Sequence, residues 1–136
     1  MDWNMLLTAA QDAAKHAYVP YSHYRVGAAA LVDDGRLVAG CNVENASYGL
    51  TLCAECGMIS SLVASGGGRL VAFTCVNGAE EVITPCGRCR QLLLEHGGVA
   101  MLVLSPKGEV TLGDMLSQAF GPYDLQDFAD EEAQHG

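Results

Sequence analysis

The chain has 136 residues, enough for one packed domain and too short for two ordinary ones. Half of them are hydrophobic and 17% are charged, which excludes an intrinsically disordered chain. Seven bases against sixteen acids give a net charge of −9, which disfavours a nucleic-acid partner, because such partners are held by Lys and Arg on phosphates.

In chain order, residues 4–17 carry Leu, Ala and Met at helical spacing, and Val19-Pro20 ends this first helix. Residues 26–32 and 36–43 are apolar runs joined by Asp33-Asp34-Gly35, the pattern of a strand hairpin. Residues 45–49 read as a loop, and 53–65 as a helix ended by Gly66-Gly67-Gly68. A buried strand follows at 70–76, then a loop through Pro85 and a helix at 86–96 stopped by Gly97-Gly98. Strands are predicted at 99–104 and 110–112, with a turn at Pro106-Lys107-Gly108, and a short final helix at 113–120. Five acids (Asp124, Asp127, Asp130, Glu131, Glu132) crowd the end, leaving eleven acids and seven bases, or −4, in residues 1–123. The chain therefore divides into a single domain, 1–128, and an acidic tail, 129–136, expected to be disordered.

This order of elements implies a sheet covered on both faces, a three-layer α/β/α sandwich with a mixed central sheet. The crossover from strand 70–76 through helix 86–96 to strand 99–104 should be parallel. In such sheets ligands bind beyond the carboxyl ends of the strands, near the starts of the helices that follow. No apolar run approaches the roughly 20 residues of a membrane helix. Met1-Asp2-Trp3-Asn4 has no basic region ahead of an apolar stretch, so a cytoplasmic protein that avoids membranes is expected.

Six cysteines without a secretory signal suggest metal or redox chemistry rather than disulfides. Cys41 and Cys75 stand singly in strand-like runs and read as buried structural residues. The other four form two Cys-x-x-Cys pairs, Cys53/Cys56 and Cys86/Cys89, and each pair opens a predicted helix. A helix start favours thiolate through its dipole and free N–H groups, and thiolates bind zinc tetrahedrally. Cys86 and Cys89 face the same side of the first turn, Pro85 sets the start of the helix, and Cys53 can add a third sulfur. Three protein ligands leave a fourth position, the arrangement of a catalytic zinc. A closed four-cysteine site using Cys56 is stereochemically conceivable, although the gap from 57 to 85 exceeds that of a zinc ribbon. Two pairs also fit a thioredoxin-type redox motif poorly.

Glu55 lies two positions from Cys53, where its carboxylate can accept a proton from metal-activated water and return it to a substrate. The plainer alternative is a first-turn acid favoured by the helix dipole.

Cys53-Ala54-Glu55 with Pro85-Cys86-Gly87-Arg88-Cys89-Arg90-Gln91 matches the zinc deaminase signature, with cysteine in place of the first histidine. Together with Val19-Pro20-Tyr21-Ser22, the segment from Gly40 to Tyr48, and Phe120-Gly121-Pro122-Tyr123-Asp124-Leu125, the chain resembles the cytidine deaminases. The likeness is to the small, three-cysteine, homotetrameric class acting on free nucleosides, and it runs from about Tyr18 to Leu125.

That resemblance implies hydrolytic deamination of cytidine and deoxycytidine to uridine or deoxyuridine plus ammonia, a step of pyrimidine salvage. It implies one zinc per subunit on Cys53, Cys86 and Cys89, with Glu55 as proton shuttle. Asn42 and Glu44 would hold the ribose 3′-hydroxyl, the backbone of Ala54 would meet the pyrimidine, and Tyr24 and Val26 would line its pocket. From neighbouring subunits, Ala46 and Tyr48 would approach the sugar and Phe120 would stack on the base. Read from the residues alone, Asn42 and Glu44 also fit a polar turn, and Phe120 fits a core position. Glu44 would repel a phosphate, which favours nucleosides over nucleotides. The family commonly has phenylalanine at position 24, and arginine at position 56, where it offsets the charge of three thiolates. Here Arg88 or Arg90 is the candidate for that task, or else both lie on a solvated helix face.

Overall fold

The computed structural model describes residues 1–126, so the expected tail and the end of the single-domain division fall outside the described residues. Helix α1 (Trp3–Ala14) is capped by Asp2, whose side chain accepts from the Asn4 amide. There follow β1 (Val26–Val32), β2 (Leu37–Cys41), a single 3-10 turn (Tyr48–Leu50), α2 (Ala54–Ala64) and β3 (Leu70–Asn77). Then come α3 (Gly87–Gly97), β4 (Leu102–Ser105), β5 (Gly108–Thr111) and α4 (Leu112–Met115). The sheet runs β2-β1-β3-β4-β5. Only β3 and β4 are parallel, joined through α3 as the sequence implies. The other three pairings are antiparallel, so the sheet is mixed.

Alternation along β1 separates the two faces. Ala29 turns to α1, where it packs with Leu6, Ala10, Ala72 and Val76. Ala28 and Ala30 turn the other way, into a larger core with Met58, Leu62, Phe73 and Leu93 from α2, β3 and α3. All of these side chains are effectively sealed from solvent. Each buried Leu, Met or Phe contributes on the order of 1.5–3 kcal/mol. Small side chains on the central strand let both helical layers come close. Glycine takes this furthest: a Cβ at Gly40 would meet the Met58 amide and the Ala54 carbonyl of α2, and one at Gly27 would meet the backbone of α1.

Topology sets where the helices begin. Because β1 is antiparallel to both neighbours, β2 and β3 run in the same direction and end at the same edge of the sheet. α2 follows β2 and α3 follows β3. Their N-termini therefore converge at that edge.

Several boundaries differ from the sequence expectation. Helix 4–17 stops at Ala14 because Tyr18 is drawn into a pairing: its amide donates to Asn42 O and its carbonyl accepts from the Glu44 amide. Arg25 then donates to the freed carbonyls of Lys15 and Ala17. Strand 36–43 shortens to Leu37–Cys41, since Val43 bridges Tyr18 and Leu52 instead of continuing along β1. Strand 99–104 starts at Leu102, because Gly98 at φ 74° carries the turn onward and leaves Val99 exposed. Strand 110–112 begins earlier, at Gly108, which pairs with Ser105 across a two-residue turn. The final helix, expected at 113–120, is only Leu112–Met115, held by a capping box between Thr111 and Asp114. Leu116 at φ −142° ends it, and Gln118 follows at φ 51°. Residues 122–126 then turn helical, Pro122 leading and Asp124 accepting from the Gly121 amide.

Candidate metal centre and adjoining pocket

Cys53 is the N-cap of α2 and Cys86 the N-cap of α3, both extended, and Cys89 lies in the first turn of α3. Their three sulfurs lie within 4.8 Å of one another, with Cys53 Sγ and Cys86 Sγ 4.0 Å apart. Two thiolates on a tetrahedral zinc, at about 2.3 Å each, would stand about 3.8 Å apart. The donor set, three soft sulfurs at this spacing, thus fits zinc. Cys56 does not join the group: it is half-buried, and Arg88 Nη2 lies 3.6 Å from its sulfur. Arg90 is engaged elsewhere, donating to the carbonyls of Pro85 at 2.9 Å and Met115 at 3.0 Å.

Electrostatics at the site call for a cation. Burial pushes the Cys89 thiol well up, and the Glu55 carboxylate and the neighbouring thiols add to the rise. Burial also raises Cys53, with Cys86 and Glu55 adding to it against the Cys89 thiol. At Cys86 burial raises the pKa too, but hydrogen bonds from the Cys89 amide and the thiols of Cys89 and Cys53 outweigh it and hold Cys86 below its ordinary value. One sulfur takes negative charge readily and the other two resist it. A divalent cation removes that conflict.

Glu55, second residue of α2, is 3% exposed. It forms part of the wall of a pocket of about 190 Å³, together with Val26, Asn42, Ala54, Cys53 and Cys86. Beside it is a wider groove of about 310 Å³ lined by Tyr21, Ser22, Glu44, Tyr48 and Thr51. Thr51 belongs to both walls, so the two hollows adjoin.

Glu44 is held in place rather than loose. Its Oε1 accepts from the amides of Tyr21 at 3.0 Å and Ser22 at 3.1 Å. The Ser22 hydroxyl above all, then the amides of Ser22 and Tyr21 and the nearby His23, lower its pKa despite some desolvation. Asn42 is fastened through both ends of its amide: Oδ1 accepts from the Val26 amide at 2.8 Å, and Nδ2 donates to Tyr24 O at 2.9 Å. Tyr48 stacks edge-on against Tyr21 with ring centres 5.8 Å apart.

Three residues implied by the resemblance lie outside both walls within one chain. Tyr24 is half exposed, Ala46 is exposed, and Phe120 is 59% exposed, so Phe120 is not the core residue that its helical context allows. Sequence reasoning passed over Thr51, Leu52, Ile83 and Thr84, which complete the pocket. The first two immediately precede Cys53 and the last two precede Pro85, and that adjacency is the signal that was available. Cys75 is buried as expected, yet it also lies against Glu55, whose charge, after burial, raises its thiol pKa. Its Sγ donates to Ile83 O at 3.2 Å.

Residues 2–105 match the family described as "Cytidine and deoxycytidylate deaminase zinc-binding region". A cytidine deaminase of Mycobacterium tuberculosis is 62% identical over 125 residues, covering 92% of this chain and 94% of that one. One from Halalkalibacterium halodurans is 39% identical over 132 residues, covering 93% and 100%. The crystal structure of cytidine deaminase from Mycobacterium tuberculosis superposes with a TM-score of 0.87 at 62% identity, over 89% of this chain and 98% of that one.

Proposed function

The chain belongs to the cytidine deaminase family, and from that premise we propose that it deaminates free cytidine and deoxycytidine hydrolytically, giving the uracil nucleoside and ammonia. Its setting is pyrimidine salvage in the cytoplasm. One zinc per subunit would be held by Cys53, Cys86 and Cys89. When bound, zinc supplies Lewis acidity, which makes water a competent nucleophile near neutral pH.

Glu55 moves the protons. Its carboxylate takes one from the attacking water and delivers it to N3 of the pyrimidine as the new bond forms at C4. It then takes the remaining proton from the new C4 hydroxyl and passes it to the amino group, so that the C4–N bond breaks, ammonia leaves and the C4 carbonyl forms. Its burial supports this role, because the side chain is packed into the pocket wall and not free to swing into solvent. The inner pocket suits the pyrimidine, with Val26 and the Ala54 backbone at its wall and Tyr24 beside it. The outer groove suits the sugar. Asn42 retains a second N–H proton, and Glu44 retains Oε2, each free for the 3′-hydroxyl once the contacts described above are counted. The same Glu44 charge disfavours a 5′-phosphate.

Exposed apolar side chains support a homotetramer whose active site is completed by neighbouring subunits. Tyr48 is 75% exposed, Leu50 64% and Phe120 59%. Large apolar side chains left this exposed are the kind that a partner surface covers. Ala46, Tyr48 and Phe120 would then reach a neighbouring pocket.

The carrying observation is the three-sulfur cluster with a sealed carboxylate two residues from one of its members. The test is to incubate the zinc-loaded protein with cytidine and follow the ultraviolet absorbance change and ammonia release. Turnover is expected, and its absence overturns the proposal. Glu55→Ala should keep zinc and fold while losing at least about 10³-fold in kcat.

A further inference from the structure

Tyr24 is half exposed, yet the fold fastens it at three points. Its amide donates to Ser22 Oγ at 3.0 Å, and its carbonyl accepts from Asn42 Nδ2 at 2.9 Å. Its phenolic oxygen accepts from Asn77 Nδ2 at 3.3 Å. Asn77 ends β3, directly opposite Val26 of β1. The orientation of its amide is set independently. Oδ1 accepts from the amides of Ala79 at 3.0 Å and Glu81 at 3.1 Å, so the nitrogen must face Tyr24 and Glu81. One of its two protons goes to Glu81 Oε1 at 3.1 Å and the other to the phenol. The phenol therefore accepts from Asn77, and its own O–H proton stays free for a ligand or water.

Tyr24 stands two residues before Val26, which lines the inner pocket, and its phenol is held by Asn77, the strand partner of Val26. Asn42, which holds the Tyr24 carbonyl, lines the same pocket. An exposed tyrosine ordinarily keeps its rotamer freedom, and fixing it costs conformational entropy that its slight burial does not return. A ring held this way beside a pocket is pre-set for something that binds there.

We propose that Asn77 is a positioning residue for the nucleoside pocket. By holding the Tyr24 phenol, it sets the aromatic edge and the free hydroxyl proton that a bound nucleoside meets. It acts on binding rather than on proton transfer, and it rests on the deaminase reading of the pocket. The test measures KM and kcat for cytidine and Kd for uridine in the wild-type enzyme, Tyr24→Phe, Asn77→Ser and the double variant. Tyr24→Phe keeps the ring, and Asn77→Ser keeps a side-chain oxygen for the turn amides. Each single change should raise KM and the uridine Kd about three- to tenfold, the weight of one hydrogen bond, with kcat falling less than about twofold. The double variant should be no weaker than the weaker single, since both remove the same contact. Unchanged KM and Kd in Tyr24→Phe, a fall confined to kcat, or additive losses in the double variant would overturn the assignment. A wild-type protein that neither deaminates cytidine nor binds uridine instead overturns the reading of the pocket itself.

Discussion

Cys56 stands three residues after Cys53 in the same first turn, but its sulfur meets Arg88 rather than the other three sulfurs. Cys56→Ser should therefore retain about one zinc per chain, as three ligands suffice for a catalytic site. Cys89→Ser should retain far less. Metal analysis of the purified variants decides this, and loss of zinc in Cys56→Ser would mean a closed four-sulfur centre. Zinc with three thiolates would carry a net −1; Arg88 contacts Cys56, one helical turn after Cys53, while Arg90 bonds two carbonyls. The cysteine cluster and Glu55 were legible in the sequence because their chemistry depends on residue type and on spacing along one helix start. Asn42 was only half legible. The resemblance implies a sugar contact for it, whereas its amide in the fold ties Val26 of β1 to Tyr24, across contacts 16 and 18 residues apart in sequence.

At the level of elements, the approach of α2 to β2 determines where Glu55 sits. A methyl group at Gly40 would strike the backbone of α2 at Ala54 and Met58, so Gly40→Ala must displace the helix that carries Glu55. A loss of about 1–3 kcal/mol in urea unfolding, with a drop in kcat, is expected. The Glu44 clasp on the 21–22 loop is a second such device. Because folding lowers the Glu44 pKa, the clasp is fully present above the unfolded value near 4.5 and is lost as pH falls through the lower folded value. The Tyr21 and Ser22 amide resonances should titrate together with a midpoint below 4.5, and Glu44→Gln should abolish that shared transition. Element existence followed from periodicity and from Gly and Pro punctuation. Ends were harder to read: α1 yields its last turn to the Tyr18 pairing, and β4 starts late because Gly98 turns the chain outward. The first is a tertiary effect with no local signal, whereas the second follows from the Gly98 turn that also stops α3.

For the whole molecule, the three-layer order could be read because a parallel crossover and a hairpin leave few topologies. The pocket walls could not, since Thr51, Ile83 and Thr84 meet only after β2 and β3 end at the same sheet edge. The proposed assembly makes a measurable claim. Light scattering on the eluted protein should give four times the chain mass, and activity per chain should fall on dilution below the dissociation range. An active monomer would remove Ala46, Tyr48 and Phe120 from the shared site. Cys53 and Cys86, 33 residues apart, cap different helices. An ion gripping both would rivet the starts of α2 and α3 together, and its grip would be part of the folding free energy itself. Cellular metal supply would then govern how much of this protein is sound as well as how fast it works. Starvation for zinc would thin the population before it slowed the survivors.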